Sequence, residues 1–417
     1  MKQYRIKTKE GLLQGKVMLP SSKSISNRLL VMRSMEKSMV LFDNLSEADD
    51  TYMMRLYLSF IGTCSDSKIP MVMDAKNAGT VFRFLTAFLA QRKGKWLLTG
   101  SERMKQRPVN HLVDALRKLG AKIEYTEKEG YPPLMVHGTQ LTGSEVEVDA
   151  SDSSQFISAL LLIAPHFKNG LKLRLKGEVV SSSYLKMTIE LMKNFLVEVE
   201  DKKNEIIVHP GRYLVRKLTV ESDWSSAAFW YQIVASQKKS SVRLPGLKEK
   251  SVQGDRFLVE VFNHLGVRTE FVENDAVLTH VGNPDKEIDM DFSSAPDIVP
   301  SVMTACAVLG VKARFRGIEH LRIKESDRIG AMQEELAKIG VEITKNGNFY
   351  DLTSGGEVQD QLVFNSHADH RLAMCLAPLA LHFDAVSITN PEVVTKSYPH
   401  YWDDLENSGI FEIDKEV

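Results

Sequence analysis

Apolar runs recur along the chain, each introduced by small or polar residues. Ser24-Ile25-Ser26-Asn27-Arg28 leads into Leu29-Leu30, and Asn77-Ala78-Gly79-Thr80 precedes Val81 to Ala90. Asp152-Ser153-Ser154-Gln155 precedes Phe156 to Ala164, and Asp223-Trp224-Ser225-Ser226 precedes Ala227 to Ala235. Ser294-Ala295-Pro296-Asp297 precedes Ile298 to Leu309, and Asp369-His370-Arg371 precedes Leu372 to Leu381. Several of these helices are apolar nearly all round, so they belong in an interior. Roughly 40 residues after each start come an amphipathic helix, a stop and a β-rich segment. The stops read Ile61-Gly62-Thr63, Leu119-Gly120-Ala121, Phe195-Leu196-Val197, Leu265-Gly266-Val267, Ile339-Gly340-Val341 and Ser408-Gly409-Ile410. Glycine suits a left-handed residue past a helix end. Leu196 departs from that rule, and local strain or a different turn is expected there. Lys122 to Tyr125 and Val341 to Thr344 alternate as strands do.

Six α/β units fit two domains of three. Residues 21–220 are expected to form one domain, and residues 1–20 plus 221–417 the other, with the N-terminal strand pairing into the C-terminal half. At 417 residues the chain is too long for one core. A single doubly wound sheet fits less well, because no glycine-rich dinucleotide fingerprint follows a strand.

Composition narrows the function. A formal net charge of −1 argues against a bulk nucleic-acid binder, so any basic site must be a local concentration of cations. Cys64, Cys306 and Cys375 are far apart and lack metal-ligand spacing, which suits free thiols in a reducing cytoplasm. The start is polar and charged, without a signal-peptide core. No apolar run reaches the length of a membrane span. No membrane association is expected, and a monomer is.

The densest chemistry lies in Leu321-Arg322-Ile323-Lys324-Glu325-Ser326-Asp327-Arg328. Ser326 or Asp327 can cap the helix that follows, whose Ile329, Met332, Leu336 and Ile339 share one face. Gly340 is expected to end it. Lys324, Glu325 and Arg328 then sit at a positive helix terminus, suited to a phosphate or carboxylate. Glu325 is an acid among cations, available to move a proton. Lys23, Arg28, Arg83, Arg107, Lys324, Arg328, Arg371 and Lys396 mostly flank helix starts or lie in loops. Convergence of so many cations requires anions, since a buried unpaired charge is costly. The implied ligand is small and multiply anionic. Each string alone also has a plain reading: a surface turn at Ser22-Lys23-Ser24, helix caps at Asn77 to Thr80, at Ser153-Ser154-Gln155 and at Asp297, a core tyrosine at Tyr184. His367-Ala368-Asp369-His370 invites a metal, but the sequence offers no third ligand group or helical glutamate partner, so no metal is expected. No G-x-S-x-G elbow supports a serine hydrolase.

Together these strings resemble the 5-enolpyruvylshikimate-3-phosphate synthase family of 3-phosphoshikimate 1-carboxyvinyltransferases. The resemblance runs nearly end to end. It rests on Leu19 to Arg28, Asn77 to Thr80, Arg103 to Pro108, Ser153 to Phe156, Ser181 to Tyr184, Pro296-Asp297, Lys324 to Arg328 and Asp369 to Met374. It implies a two-domain inside-out α/β barrel of six repeated βαβαββ-like units, three per domain, that closes on substrate. It implies transfer of the enolpyruvyl group of phosphoenolpyruvate to the 5-hydroxyl of shikimate-3-phosphate, with loss of phosphate, in aromatic amino-acid synthesis, and no cofactor. Asp297 would deprotonate the hydroxyl, Glu325 would deliver a proton to the methylene, Lys23 would bridge both substrates and share the proton work, and His370 would support them. Lys23, Ser24, Arg28, Ser153, Ser154, Gln155, Ser181, Tyr184, Asp297 and Lys324 match positions that hold shikimate-3-phosphate. Lys23, Asn77, Gly79, Arg107, Gln155, Arg328, Arg371 and Lys396 match the phosphoenolpyruvate side, which is also the family's glyphosate site.

The chain departs from the family pattern at several positions. His320 stands where asparagine is frequent, and Ser182-Ser183 replace a basic residue and proline. Asp152 adds a negative charge, Phe84 follows Arg83 in place of proline, and Lys76 precedes Asn77 in place of glycine. These put the detailed geometry of phosphate and inhibitor binding in question more than the reaction. The nearest rival is UDP-N-acetylglucosamine 1-carboxyvinyltransferase, which uses a lysine-asparagine pair near its N-terminus. Here Lys23 is followed by Ser24. A non-catalytic anion binder on the same fold is the rival of another class.

Overall fold

The computed structural model describes residues 2–61, 69–150, 153–177 and 179–415. Cys64, Asp152 and the Gly62-Thr63 stop lie outside the described residues. The chain falls into two compact units, Lys23–Val220 and Met1–Ser22 with Glu221–Val417.

Five four-stranded sheets occur among the described residues, and all five share one plan. In each, an edge strand runs parallel to its neighbour, and the next two strands are successively antiparallel. Met71–Asp74, Lys95–Thr99, Leu134–His137 and Lys122–Tyr125 follow this order in the 23–220 unit. So do Glu145–Asp149, Leu171–Lys176, Glu205–Val208 and Val199–Lys202. In the other unit, Glu287–Asp291, Lys312–Arg316, Phe349–Val358 and Ile339–Asn346 repeat it.

The remaining two sheets keep the plan by borrowing strands from the N-terminal segment. Gln14–Lys16 supplies the parallel edge beside Ser241–Leu244, which continues into Asp275–His280 and Val267–Val272. Gln3–Thr8 stands third in the last sheet, between Val386–Thr389 and Phe411–Asp414, with Val363–Asn365 at the parallel edge. The sixth repeat, at the start of the 23–220 unit, contributes the helices Lys23–Met35 and Asp49–Ile61 and a single parallel bridge, Asp43 to Thr219, among its described residues.

The apolar runs form the buried helices. In Gly79–Ala90 every residue except Thr80 is buried, and in Ser154–Ile163 every residue except Gln155. Trp224–Ser236 and Val299–Leu309 bury nearly their whole length as well. The strands around them alternate, as in Leu171–Lys176, where Leu171, Leu173 and Leu175 face inward. Helices lie inside and sheets outside. Each fully buried Leu, Ile or Phe contributes about 1.5–3 kcal/mol, so these helices are held by burial rather than by surface charge.

Three local expectations are refined. The last apolar run is helical only over His370–Leu376, because Pro378 brings no N–H and the chain tightens to a 3-10 turn over Ala377–Leu381. The helix after Asp327 ends at Ala337, with Lys338 as its C-cap. Gly340, expected to end that helix, instead sits in the strand Ile339–Asn346 beside a register shift, at φ 72°. A Cβ there would lie 2.3 Å from the Gly356 carbonyl oxygen, so both the backbone angle and the close approach demand glycine. Leu196, the stop without glycine, adopts φ 60° and is exposed, which is the strain anticipated for it.

Candidate active site

In the unit containing residues 221–417, one guanidinium organises a cluster of carboxylates. Asp327 caps the helix Arg328–Ala337 by accepting from the Gly330 N–H, which places Arg328 on its first turn. Ser326, the other candidate cap, donates to Asp369 instead. Arg328 is buried. Its Nε lies 2.7 Å from Asp369, its Nη1 2.9 Å from Asp297 and its Nη2 3.0 Å from Glu325. Burial alone disfavours the guanidinium charge, but Asp369, Glu325 and Asp297 outweigh it and raise the pKa.

Arg371, two residues past Asp369, holds the second oxygen of Asp297 at 2.8 Å. Lys396 reaches the other oxygen of Glu325 at 3.4 Å. Asp297 sits on the 3-10 turn Pro296–Ile298 that precedes the buried helix Val299–Leu309, so its carboxylate is presented from a rigid base. Its role as a helix cap is not what its side chain does: both oxygens are taken by arginines. His370 is buried, with Nδ1 3.5 Å from Asp369. Lys324 lies half-buried near His320. Burial, then Lys324, pushes the His320 imidazole down to about 3, with Arg328 adding to the effect and Asp297 opposing it. His320 is therefore neutral near pH 7.

In the unit 23–220, Lys23 opens the first buried helix and pairs with Asp50 at 3.0 Å. Ser24 is half-buried beside it, and its carbonyl accepts from Arg28 at 2.9 Å. Arg28 directs its other donors to Thr188 (2.7 Å), the Tyr184 carbonyl (3.1 Å) and Ser158 (3.4 Å). Burial brings its pKa down to about 10, so it stays charged at neutral pH. Tyr184 stacks its ring 5.9 Å from that guanidinium. Ser181, at the N-cap of Ser182–Asn194, adopts φ 55°, a strained angle for a non-glycine residue.

Ser153 caps the helix Ser154–Ile163, accepting from the Gln155 N–H. The Gln155 side chain reaches Thr80 at 3.2 Å, which ties this helix start to that of Gly79–Ala90. There the need for glycine is steric. A Cβ on Gly79 would lie 2.5 Å from Arg83 Nη1 and 3.0 Å from both terminal nitrogens of Arg107. Two buried arginines thus close over a helix N-terminus, with Asn77 half-buried just before it. A positive helix end flanked by guanidiniums is suited to an anion.

Sequence reasoning named Asp297 and Glu325 but missed the other carboxylates around these cations. Asp369 was visible only as a member of a helix start, and Asp50 was not singled out. Asp255 was not singled out at all. It is buried, accepts from the Ser225 hydroxyl, and has its pKa raised to about 7 by burial and then by Asp297, against the pull of Arg371. The expectation that His367 lacks partners for a metal also changes. Glu334, Glu335 and His367 bring ligand atoms within 4.8 Å of one another. Lys338, however, already sits 2.6 Å from Glu335. The glutamates lie a helix away from His367 in sequence, and no spacing pattern connects them.

A family model described as EPSP synthase (3-phosphoshikimate 1-carboxyvinyltransferase) matches residues 7–405. A 3-phosphoshikimate 1-carboxyvinyltransferase of Bacteroides fragilis strain YCH46 is 43% identical over 401 residues, covering 95% of this chain and 96% of its own. One from Sulfurovum sp. strain NBC37-1 is 36% identical over 416 residues, covering 95% and 96%. Among solved structures, an EPSP synthase from Acinetobacter baumannii superposes with a TM-score of 0.78 at 22% identity, covering 99% of this chain and 100% of that one. The enolpyruvyl transferase NikO from Streptomyces tendae gives 0.75 at 14% identity, covering 100% of each chain. These two show the shared fold. With the family model spanning most of its length and curated relatives well above 30% identity, the chain belongs to the EPSP synthase (3-phosphoshikimate 1-carboxyvinyltransferase) family.

Proposed function

We propose that this chain transfers the carboxyvinyl group of phosphoenolpyruvate to the 5-hydroxyl of shikimate-3-phosphate by addition and elimination, releasing phosphate. Family membership supports the reaction. The observation that carries the assignment of residues is the pairing of Asp297 with both Arg328 and Arg371, while Glu325 shares Arg328.

Phosphoenolpyruvate brings a carboxylate and a phosphate, and these compete for the same guanidiniums. As Arg328 and Arg371 turn toward the substrate anions, the oxygens of Asp297 are released to accept the 5-hydroxyl proton. The alkoxide character so formed attacks C2 of phosphoenolpyruvate while C3 gains a proton. Glu325, in its acid form, delivers that proton, and Lys396, at 3.4 Å, steadies the carboxylate left behind. The tetrahedral adduct then returns a C3 proton to the Glu325 carboxylate and expels phosphate, which leaves with the proton that Asp297 had taken, and the double bond is regenerated. Lys23, Arg107 and Gly79 take the anionic groups on the 23–220 side, with Asn77 and Gln155 beside them. Ser24, Arg28, Ser153, Ser154, Ser181, Tyr184 and Lys324 hold shikimate-3-phosphate, Arg28 chiefly by fixing the Thr188 and Tyr184 segment. His370 packs beneath Asp369. Residues 21–220 and 1–20 with 221–417 are the two lobes in this reading, which the clustering into compact units supports.

The test is phosphate release from phosphoenolpyruvate with shikimate-3-phosphate or UDP-N-acetylglucosamine as acceptor. Turnover with shikimate-3-phosphate alone is expected. Turnover with only the nucleotide sugar would overturn the assignment of substrate, and none with either would overturn the enzyme.

A further inference from the structure

The helix Arg328–Ala337 is tied at both ends to one loop. At its start, Arg328 binds Asp369. Two turns later, Glu335 projects a buried carboxylate toward the segment leading into Asp369. Its Oε2 accepts from the Asn365 N–H at 3.0 Å and from Lys338 Nζ at 2.6 Å, and its Oε1 meets His367 Nε2 at 2.8 Å. Lys338 adds a bond to the Val363 carbonyl at 2.8 Å. Asn365 in turn accepts from the His367 N–H at 2.8 Å, and Asp369 N–H returns to the Ser366 carbonyl at 2.8 Å.

The loop needs such restraint. His367 and Ala368 are consecutive non-glycine residues at φ 50° and 53°, a left-handed pair that costs energy unless its surroundings impose it. The next residues are Asp369, which holds Arg328, and Arg371, which holds Asp297. A carboxylate that accepts from a backbone N–H, an imidazole and an ammonium has both oxygens engaged, so its charge serves geometry here rather than chemistry. The same ammonium argues against a metal at this cluster.

We infer that Glu335 is a positioning residue for the transferase reaction: by clamping Asn365 and His367 it fixes the strained turn that presents Asp369 to Arg328 and Arg371 to Asp297. The inference rests on the proposed assignment of Arg328 and Arg371 to phosphoenolpyruvate. Glu335 touches no reacting group in it and acts through the loop alone.

Steady-state kinetics of Glu335→Gln and of His367→Ala, beside wild type, test it. Glu335→Gln keeps the volume but offers an N–H to one of three donors. His367→Ala removes one half-buried partner and leaves the Glu335 charge paired with Lys338, so it should fold even where the first variant does not. The expected result is a rise in KM for phosphoenolpyruvate of about tenfold or more in Glu335→Gln, and a smaller rise in His367→Ala, with KM for shikimate-3-phosphate within about twofold. Unchanged KM values with only the active fraction reduced would mark Glu335 as structural and overturn the inference. So would an equal rise in both KM values. If wild type itself releases no phosphate, the underlying functional reading fails instead, and the two failures are told apart by that control.

Discussion

Arg328 and Asp297 form a 2.9 Å ion pair, and Arg371 grips the other oxygen of the same carboxylate at 2.8 Å. The residue assigned to take a proton is thus fixed in orientation by the two cations assigned to the substrate's anions. Base strength and anion binding are linked in this arrangement. Whatever draws the guanidiniums toward a phosphate also frees the carboxylate.

Asp297→Asn separates these roles. The amide keeps size and one acceptor but cannot take a proton. Its kcat should fall about a hundred- to ten-thousandfold. Titration calorimetry should find shikimate-3-phosphate affinity changed by only a fewfold. A kcat near that of wild type would remove Asp297 from the proton transfer.

Arg328→Ala and Lys396→Ala differ in what they leave behind. The first strands Asp297, Glu325 and Asp369 without their shared cation, and Asp369 is fully buried. Removing one partner of a buried ion pair costs about 3–5 kcal/mol, which urea unfolding would read directly. Lys396→Ala leaves Glu325 paired with Arg328, so its stability loss should be smaller. Its KM for phosphoenolpyruvate should rise more than its KM for shikimate-3-phosphate. Equal loss for both substrates would dissolve the assignment of Lys396.

Much of this was legible in the chain. The six apolar runs found the buried helices because a helix surrounded by protein cannot carry a polar stripe. The cations were legible because they cluster at helix starts. Asp297 and Glu325 apart, the buried carboxylates around them were not. Asp255 stands in Gln253-Gly254-Asp255-Arg256, and Glu335 on an ordinary amphipathic helix, and both matter only because distant elements pack on them. The shared sheet plan was likewise hidden. A strand such as Gln3–Thr8 shows its alternation locally, but its place between Val386–Thr389 and Phe411–Asp414 is a property of the folded chain.

Asp255 gives a pH-dependence of known sign. Its folded pKa is raised to about 7, first by burial and then by Asp297, above the ordinary aspartate range. The folded state therefore binds the proton more tightly than the unfolded state. The contribution is fully present below about pH 4 and is lost as pH rises through about 7. Asp255→Asn, permanently neutral, should gain stability relative to wild type across that window and then stay level above it. Parallel stability curves from pH 4 to 8 would contradict the raised pKa.

His320 carries the opposite sign. Burial and then Lys324 depress its folded pKa to about 3, so the unfolded chain binds the proton that the folded one refuses. Its contribution is present above the ordinary histidine pKa and is lost as pH falls from about 6.5 toward 3, at no more than about 1.4 kcal/mol per pH unit. The neutral ring also spares Lys324 and Arg328 a further positive neighbour, which an asparagine would do equally well. His320→Asn should therefore turn over at pH 7.5 within about threefold of wild type, while unfolding less steeply on acidification. The measurement is urea unfolding of both proteins between pH 4 and 7. Identical acid slopes would mean that the imidazole is protonated in the folded protein, and the electrostatics assigned to the Lys324–Arg328 segment would have to be redrawn.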